Sequence, residues 1–298
     1  MINFFTTKYY KLFTLIFCTI CLIYFIHNIY FKFDNVFYSL KKIFSNHILL
    51  LTEFILLALN ITLESLRWRI ISLNLYHRPF ISDIITTLRS TALANVTPAN
   101  IGEHFGRVLN HSNKKKITLL SFFASYIQTF SICLVGTLSA LYIHISNIEF
   151  SRTIIYIIYS ISAICLIISS IALFFLSQKF KSIQKEISLI ISPNQIILSI
   201  FTNIVRIIIF SLQLTILLNT PYIITPIFIY YFLLTFLPRL NFIDIGIKGN
   251  LALYTLATFY SQANIISATI SIWIINIIIP SICGFIFIFT SSMFHVKH

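Results

Sequence analysis

The sequence predicts an all-α polytopic membrane protein of about six spans plus two re-entrant helical hairpins, arranged as an inverted-topology repeat. Three observations lead there. The chain of 298 residues is 58% hydrophobic and only 10% charged, with a mean hydropathy of +0.91, whereas soluble proteins carry about 25% charged residues. Its apolar runs reach the length of roughly 20 residues that a membrane helix needs. Two stretches, residues 97–107 and 238–249, interrupt those runs with prolines, charges and four of the 6 glycines, Gly102, Gly106, Gly246 and Gly249. Residues 1–298 read as a single integral membrane domain, with repeat halves at about 10–145 and 153–290.

Taken in order, Lys8 and Lys11 precede an apolar run from Leu12 to Tyr30. Its length suits a span, and it lacks the short core and small-residue cleavage site of a signal peptide. A polar connection with Lys32, Asp34, Lys41 and Lys42 leads to span two, about His47 to Leu66, with Glu53 in its interior and Arg67, Arg69 and Arg78 after it. Ile81 to Leu93 is too short to cross. It enters a turn at Pro98, and a second half-helix follows from Ile101 to about Leu109. Half-helix, turn and half-helix with basic residues at both outer ends read as a hairpin that returns to the face it left. Irregular backbone at membrane depth survives where protein or water satisfies it.

Span three covers about Ile117 to Ile145 and span four about Thr153 to Leu176, with Ser177 to Glu186 at the interface. Span five, about Gln195 to Leu218, holds Arg206 in its middle. Pro221 to Leu237 and Ile245 to about Tyr260 flank the Pro238 turn as the second hairpin, and span six runs from about Asn264 to Thr290 through Pro280.

The net charge of +13 is spread over short loops, which reads as orientation signal and contact with anionic headgroups, not as a nucleic-acid surface. With the N-terminus in the cytoplasm, Lys8, Lys11, Arg67, Arg69, Arg78, Lys114, Lys115, Lys116, Lys179, Lys181, Lys185 and Lys297 lie inside, 12 residues against the four outside, Lys32, Lys41, Lys42 and Arg152. That bias places both termini in the cytoplasm of what reads as a bacterial cytoplasmic membrane. The 5 cysteines fall in apolar runs, and Cys18-x-x-Cys21 has no second pair at ligand spacing, so neither a metal site nor a cofactor is expected.

The two halves share the order span, span, hairpin, span, and begin on opposite sides. In transporters built this way the site lies at mid-membrane between discontinuous helices. The hairpins correspond in detail. One reads Asn100-x-x-Glu103-x-x-x-Arg107 and the other Asn241-x-x-Asp244-x-x-x-Lys248. Asn followed by an acid three residues later is a helix-capping pattern, and an acid and a base four apart share a helical face. A positive helix end, an acid and a cation suit an anionic headgroup. Asn100, Gly102, Glu103, Arg107, Asn241, Asp244 and Lys248 are therefore the candidate substrate-binding residues. Glu53 and Arg206 are candidate intramembrane charge partners, of each other or of the hairpins. The alternative for every such pair is mutual neutralisation at depth, although intramembrane charges are functional by default.

Pro98-x-x-x-Gly102-Glu103-x-x-x-Arg107, followed by a long span and a late Gly246-Ile247-Lys248 near an acid, resembles the lysylphosphatidylglycerol synthase transmembrane family, the flippase-like membrane domain. The resemblance covers roughly residues 10 to 290. Gly249 stands where that family often has a glutamate, and Asp244 is the nearby acid. Members that aminoacylate lipids carry a soluble synthase domain after the membrane domain. With the chain running to His298, the resemblance implies the lipid-translocating part alone. The expected function is movement of an anionic phospholipid or a polyprenyl-phosphate-linked lipid between leaflets, with the bilayer and its anionic lipid as partners and no enzymatic chemistry. A membrane transferase acting on a lipid-linked substrate and a non-catalytic scaffold are the alternatives. Neither oligomeric state nor energy source is legible.

The charge bias yields a direct test. Single cysteines in a cysteine-free background should label from outside near residues 35 and 149 and from inside at the termini. External labelling at Lys114 to Lys116 would remove the first hairpin.

Overall fold

A backbone in hydrocarbon must satisfy its own polar groups, and every regular element among the described residues is a helix. The computed structural model describes residues 2–75, 78–97, 100–109, 113–146, 150–164, 191–219, 224–237 and 244–295. Pro98, Arg239, Asn241, the expected Pro238 turn and the expected interfacial segment Ser177 to Glu186 lie outside these residues. In chain order the helices are α1 (Ile2–Phe31), α2 (Phe33–Ser45), α3 (His47–Ser72), α4 (Phe80–Val96), α5 (Ile101–Val108), α6 (Lys114–Ile145) and α7 (Arg152–Ile164). They continue as α8 (Pro193–Leu217), α9 (Thr225–Phe236), α10 (Asp244–Leu256), α11 (Gln262–Trp273), a π turn (Ile274–Ile278) and α12 (Ile279–His295).

By length and composition, four helices among the described residues are able to cross a membrane: α3, α6, α8 and the continuous rod Gln262–Thr290. A fifth span is reached if α1 and α2 count as one, although α2 leaves α1 at 90°. Their surfaces are greasy on the outside, with Ile20, Ile48, Phe201 and Ile286 all more than half exposed. Only an apolar medium favours such a belt.

Two segments depart from the sequence reading. Residues 32–46, expected as a polar connection, form α2. Its helical period sorts the side chains into three strips. Val36 and Ile43 are buried, Phe33, Phe37 and Phe44 are exposed beside them, and Asp34, Lys41 and Lys42 take the remaining face. Packing on α11 is fixed by Val36 against Ile266 and by Ser39 Oγ donating to Asn264 Oδ1 at 3.2 Å. The second departure is α3, expected to end near Leu66. It is capped by Asn46, whose side chain accepts from Leu49 N, and runs to Ser72 with Arg67 fully buried. Arg67 is thus no loop charge, because partners described below receive it.

α4 and α5 fold back antiparallel on one another. A Cβ on Gly102 would stand 2.1 Å from the Leu93 carbonyl oxygen, and one on Gly106 would stand 2.5 Å from the Ser90 Cα. Both glycines are where they are because the arms touch backbone to backbone, as at close helix contacts in membranes. Between the arms, Asn100 has φ 56°, the left-handed region that Asn tolerates. The expected Asn100 cap does not form. Thr97 takes that place, its hydroxyl accepting from Gly102 N at 2.7 Å.

α3 and α8 pack along each other at the centre. α4 lies on α12, α9 lies on α6 and on α10, and α1 lies on α10. Apolar clusters fill the seams, one around Leu214, Leu256 and Ile272, another around Trp68, Ile117 and Leu120, a third around Ile143, Ile158 and Phe232. Ahead of Pro280, which has no N–H to donate, the rod loosens into the π turn and carries Asn276 inward.

Because Gly102 faces backbone, no flexible side chain can yield. Gly102→Ala should destabilise the protein by about 1–3 kcal/mol, read as a lower unfolding temperature in detergent, whereas Ala at the neighbouring exposed Phe105 should leave that temperature nearly unchanged.

Candidate functional site

The central feature is one carboxylate shared by three arginines. Glu64 and Arg67 are one turn apart on α3, Arg107 comes from α5 and Arg206 from α8. Glu64 Oε1 accepts from Arg67 Nη2 at 2.5 Å and from Arg107 Nη2 at 2.7 Å, while Oε2 accepts from Arg206 Nη1 at 2.5 Å. Arg107 Nη2 also donates to Glu103 Oε1 at 2.6 Å, so the acid and base four residues apart do meet on one face of α5.

Neutral groups complete the shell. Arg67 Nη1 donates to Gln128 Oε1 at 3.1 Å and to the Ala124 carbonyl at 3.2 Å, both on α6, and to Asn203 Oδ1 of α8 at 3.4 Å. Arg206 Nε donates to Asn60 Oδ1 at 2.8 Å. The Arg107 guanidinium lies 4.6 Å from the centre of the Trp68 ring, a cation–π contact of about 2 kcal/mol when desolvated. Three arginines against Glu64 and Glu103 leave the cluster at +1. Some donors remain unused: Arg67 Nε, Arg107 Nη1 and Asn203 Nδ2 are buried without a hydrogen-bond partner.

Beside the cluster is a cavity of about 260 Å³. Arg206, Asn60, Asn203 and Gln128 face it from the arginine side. Asn95 of α4 and Asn100 between α4 and α5 reach it, Asp244 and Lys248 come from α10, and Tyr230, Tyr231 and Asn276 line it further along. Lys248 Nζ stands 3.0 Å from Asp244 Oδ2. Asn95 is held in place by donating to Ser281 Oγ of α12 at 2.7 Å. This wall is rich in amide donors and carries two cations and one acid, so it can take an anion and orient it by hydrogen bonds.

The sequence-derived candidates divide among these places. Asn100, Asp244, Lys248 and Arg206 line the cavity. Glu103 and Arg107 belong to the charge cluster next to it, and Gly102 is spent on the contact with α4. Glu53 and Arg206, expected as partners of each other or of the hairpins, form neither kind of ion pair among the described residues. Arg206 turns to Glu64, and Glu53 lies buried beside α8, its backbone carbonyl accepting from Gln213 Nε2 at 3.2 Å. His104 stacks on Phe122 of α6 at 4.0 Å with its Nδ1 2.7 Å from Ser121 Oγ.

Glu64 itself was missed, as were Asn60, Gln128 and Asn203. A signal existed: polar and charged side chains inside runs that are otherwise apolar cost free energy unless they meet. Among the described residues, no group of three His, Cys, Asp or Glu is placed to hold a metal ion. No family model matches the chain, and no curated protein is significantly similar to it.

Removing Glu64 would leave three arginines packed without their common anion. Breaking a buried pair in this way costs about 3–5 kcal/mol. Glu64→Ala should therefore lower the unfolding temperature sharply, and adding Arg67→Met should restore part of the loss in the same assay.

Proposed function

We propose that the protein is a translocator that moves a lipid with an anionic headgroup between the leaflets of a bacterial cytoplasmic membrane. The observation that carries this reading is the cavity between the two hairpins, presenting Arg206 and Lys248 among asparagines in the interior of a protein whose outer surface is apolar. The headgroup, of an anionic phospholipid or of a polyprenyl-phosphate-linked lipid, would lie in the cavity while its tails remain in the bilayer. A hydrophilic anion gains there the charge-assisted hydrogen bonds that hydrocarbon denies it.

In this reading α4–α5 and α9–α10 are re-entrant hairpins, the halves are inverted repeats, and both termini face the cytoplasm. The pairing of elements supports it. α4 lies on α12, and α9 lies on α6, each first hairpin arm on the last span of the opposite half. Each of those spans meets its arm through a glycine. Gly284 of α12 stands against the Leu88 carbonyl, and Gly136 of α6 against the Phe232 side chain. The resemblance to the lysylphosphatidylglycerol synthase transmembrane family is part of the same proposal, its motif residues Glu103 and Arg107 standing in the cluster beside the cavity.

Charge also bears on the cargo. Around the cavity Arg67, Arg107, Arg206 and Lys248 are ion-paired with Glu64, Glu103 and Asp244, an excess of one positive charge. A headgroup with one negative charge, such as a phosphodiester, neutralises that excess.

Arg206 offers the cleanest test because it both lines the cavity and is 23% exposed. A hydrogen bond to a charged group is worth about 1.5–3 kcal/mol, so Arg206→Gln should slow movement of labelled phosphatidylglycerol in reconstituted vesicles by about 10- to 100-fold. Arg206→Lys should retain an intermediate rate, since a point cation still attracts phosphate but loses the planar fork. A Gln variant as fast as the wild type would place the path elsewhere.

A further inference from the structure

Glu53 lies near the start of α3, some 16 Å along the helix from Glu64 at about 1.5 Å per residue. It is fully buried, and neither carboxylate oxygen has a hydrogen-bond partner. An ionised carboxylate in that position costs several kcal/mol, a cost that a proton removes, so the ionised form is held only where an excess of nearby positive charge offsets it.

Its surroundings connect it to the cavity. Gln213 of α8 donates to the Glu53 carbonyl, and Asn276 of the π turn donates to Gln213 Oε1 at 3.0 Å. Asn276 lines the cavity, as does Tyr231 of α9, a titratable side chain near Glu53. On its own helix the charged residues are Glu64, Arg67 and Arg69, about three or more turns away. The other elements on α3 bring Asp34, Lys41 and Lys42 (α2), Asp83 and Arg89 (α4), Glu103, His104 and Arg107 (α5), Lys114 to Lys116 and His144 (α6), and Arg206 (α8). Asp83 pairs with Arg69, Arg89 donates to the Phe287 carbonyl, and none of these groups forms an ion pair with Glu53.

The charge balance gives Glu53 a role. With Glu53 ionised, four acids face four bases around the cavity, and the empty protein is neutral there. With Glu53 protonated the cavity carries one positive charge, which a monoanionic headgroup cancels. The two remaining combinations, proton without anion and anion without proton, leave a net charge in a low-dielectric interior where it is costly. We infer that Glu53 is the binding site of a coupling proton, taken up on its carboxylate as one anionic headgroup enters the cavity and released when that headgroup leaves. Lipid movement is then driven by a transmembrane proton gradient, with one proton for each lipid. This inference rests on the translocator reading above.

The experiment uses vesicles of phosphatidylcholine containing tail-labelled phosphatidylglycerol, with a pH-sensitive dye inside and an imposed pH difference. The wild type should shift labelled lipid several-fold toward the leaflet on the alkaline side and carry protons with it. Glu53→Gln, which mimics the proton-loaded form, should equilibrate the lipid between leaflets but show neither the shift nor the proton movement. Glu53→Asp, which keeps a titratable group, should retain both. A wild type that moves no labelled lipid under any condition overturns the translocator reading and this inference with it. A wild type that moves lipid without regard to the gradient, a Gln variant that still responds to it, or an Asp variant with wild-type unfolding temperature that has lost the response overturns this inference alone.

Discussion

Everything at the centre of this protein depends on Glu64. Two oxygens of one carboxylate receive three guanidinium groups, from α3 itself, α5 and α8, and Arg67 passes the connection on to α6 through Gln128 and the Ala124 carbonyl. In water such an arrangement would be worth little, because exposed pairs contribute about 0–1 kcal/mol. Out of water it becomes obligatory, since each partner left alone would carry the penalty of a buried, uncompensated charge. The cluster therefore specifies which faces of four helices meet, something that interchangeable Ile and Leu surfaces do weakly when lipid is as apolar as they are.

Local chemistry was legible in the sequence. Short helices stand where the Gly, Pro and charge pattern interrupts the apolar runs, and the pairs Glu103 with Arg107 and Asp244 with Lys248 follow from four-residue spacing. What sequence reading missed is non-local. Arg67 sits at the end of an apolar run, where a basic residue ordinarily marks the membrane surface. Glu64, one turn away, supplies the counter-charge, and Gln128 and Asn203, 61 and 136 residues away, satisfy further donors that burial would otherwise leave bare. Asn100 failed as a cap for a related reason. A hydroxyl at Thr97 already lay above the first turn, so the Asn took the left-handed position its side chain tolerates and turned to the cavity.

α2 was misread through composition. Its lysines and aspartate suggest a loop if counted, but plotted at 100° per residue they fall on one side, with three phenylalanines between them and the buried strip. A helix whose buried, phenylalanine and charged strips lie side by side is amphipathic, and this one leaves α1 at 90°. The same lesson applies to the amides. Asn60, Gln128, Asn203, Gln213 and Asn276 look like isolated blemishes in apolar runs, yet four of them line the cavity and Gln213 bonds to its wall.

The cluster and the cavity also divide α3 into unlike halves. At Glu64 and Arg67 the helix is tied by charge to α5, α6 and α8, and sliding there would separate opposite charges in a low dielectric. At Glu53 the tie to α8 is one neutral amide hydrogen bond, with apolar packing of Leu49 against the cluster that includes Leu217 around it. Neutral hydrogen bonds contribute about 0.5–1.5 kcal/mol net, and those to charged groups about 1.5–3. Relative motion of the halves is consequently least costly at the Glu53 end and most costly at the Glu64 end. A single buried acid placed at the yielding end, without an ion pair and linked to the cavity wall through Gln213 and Asn276, is where a change of one charge alters that balance most.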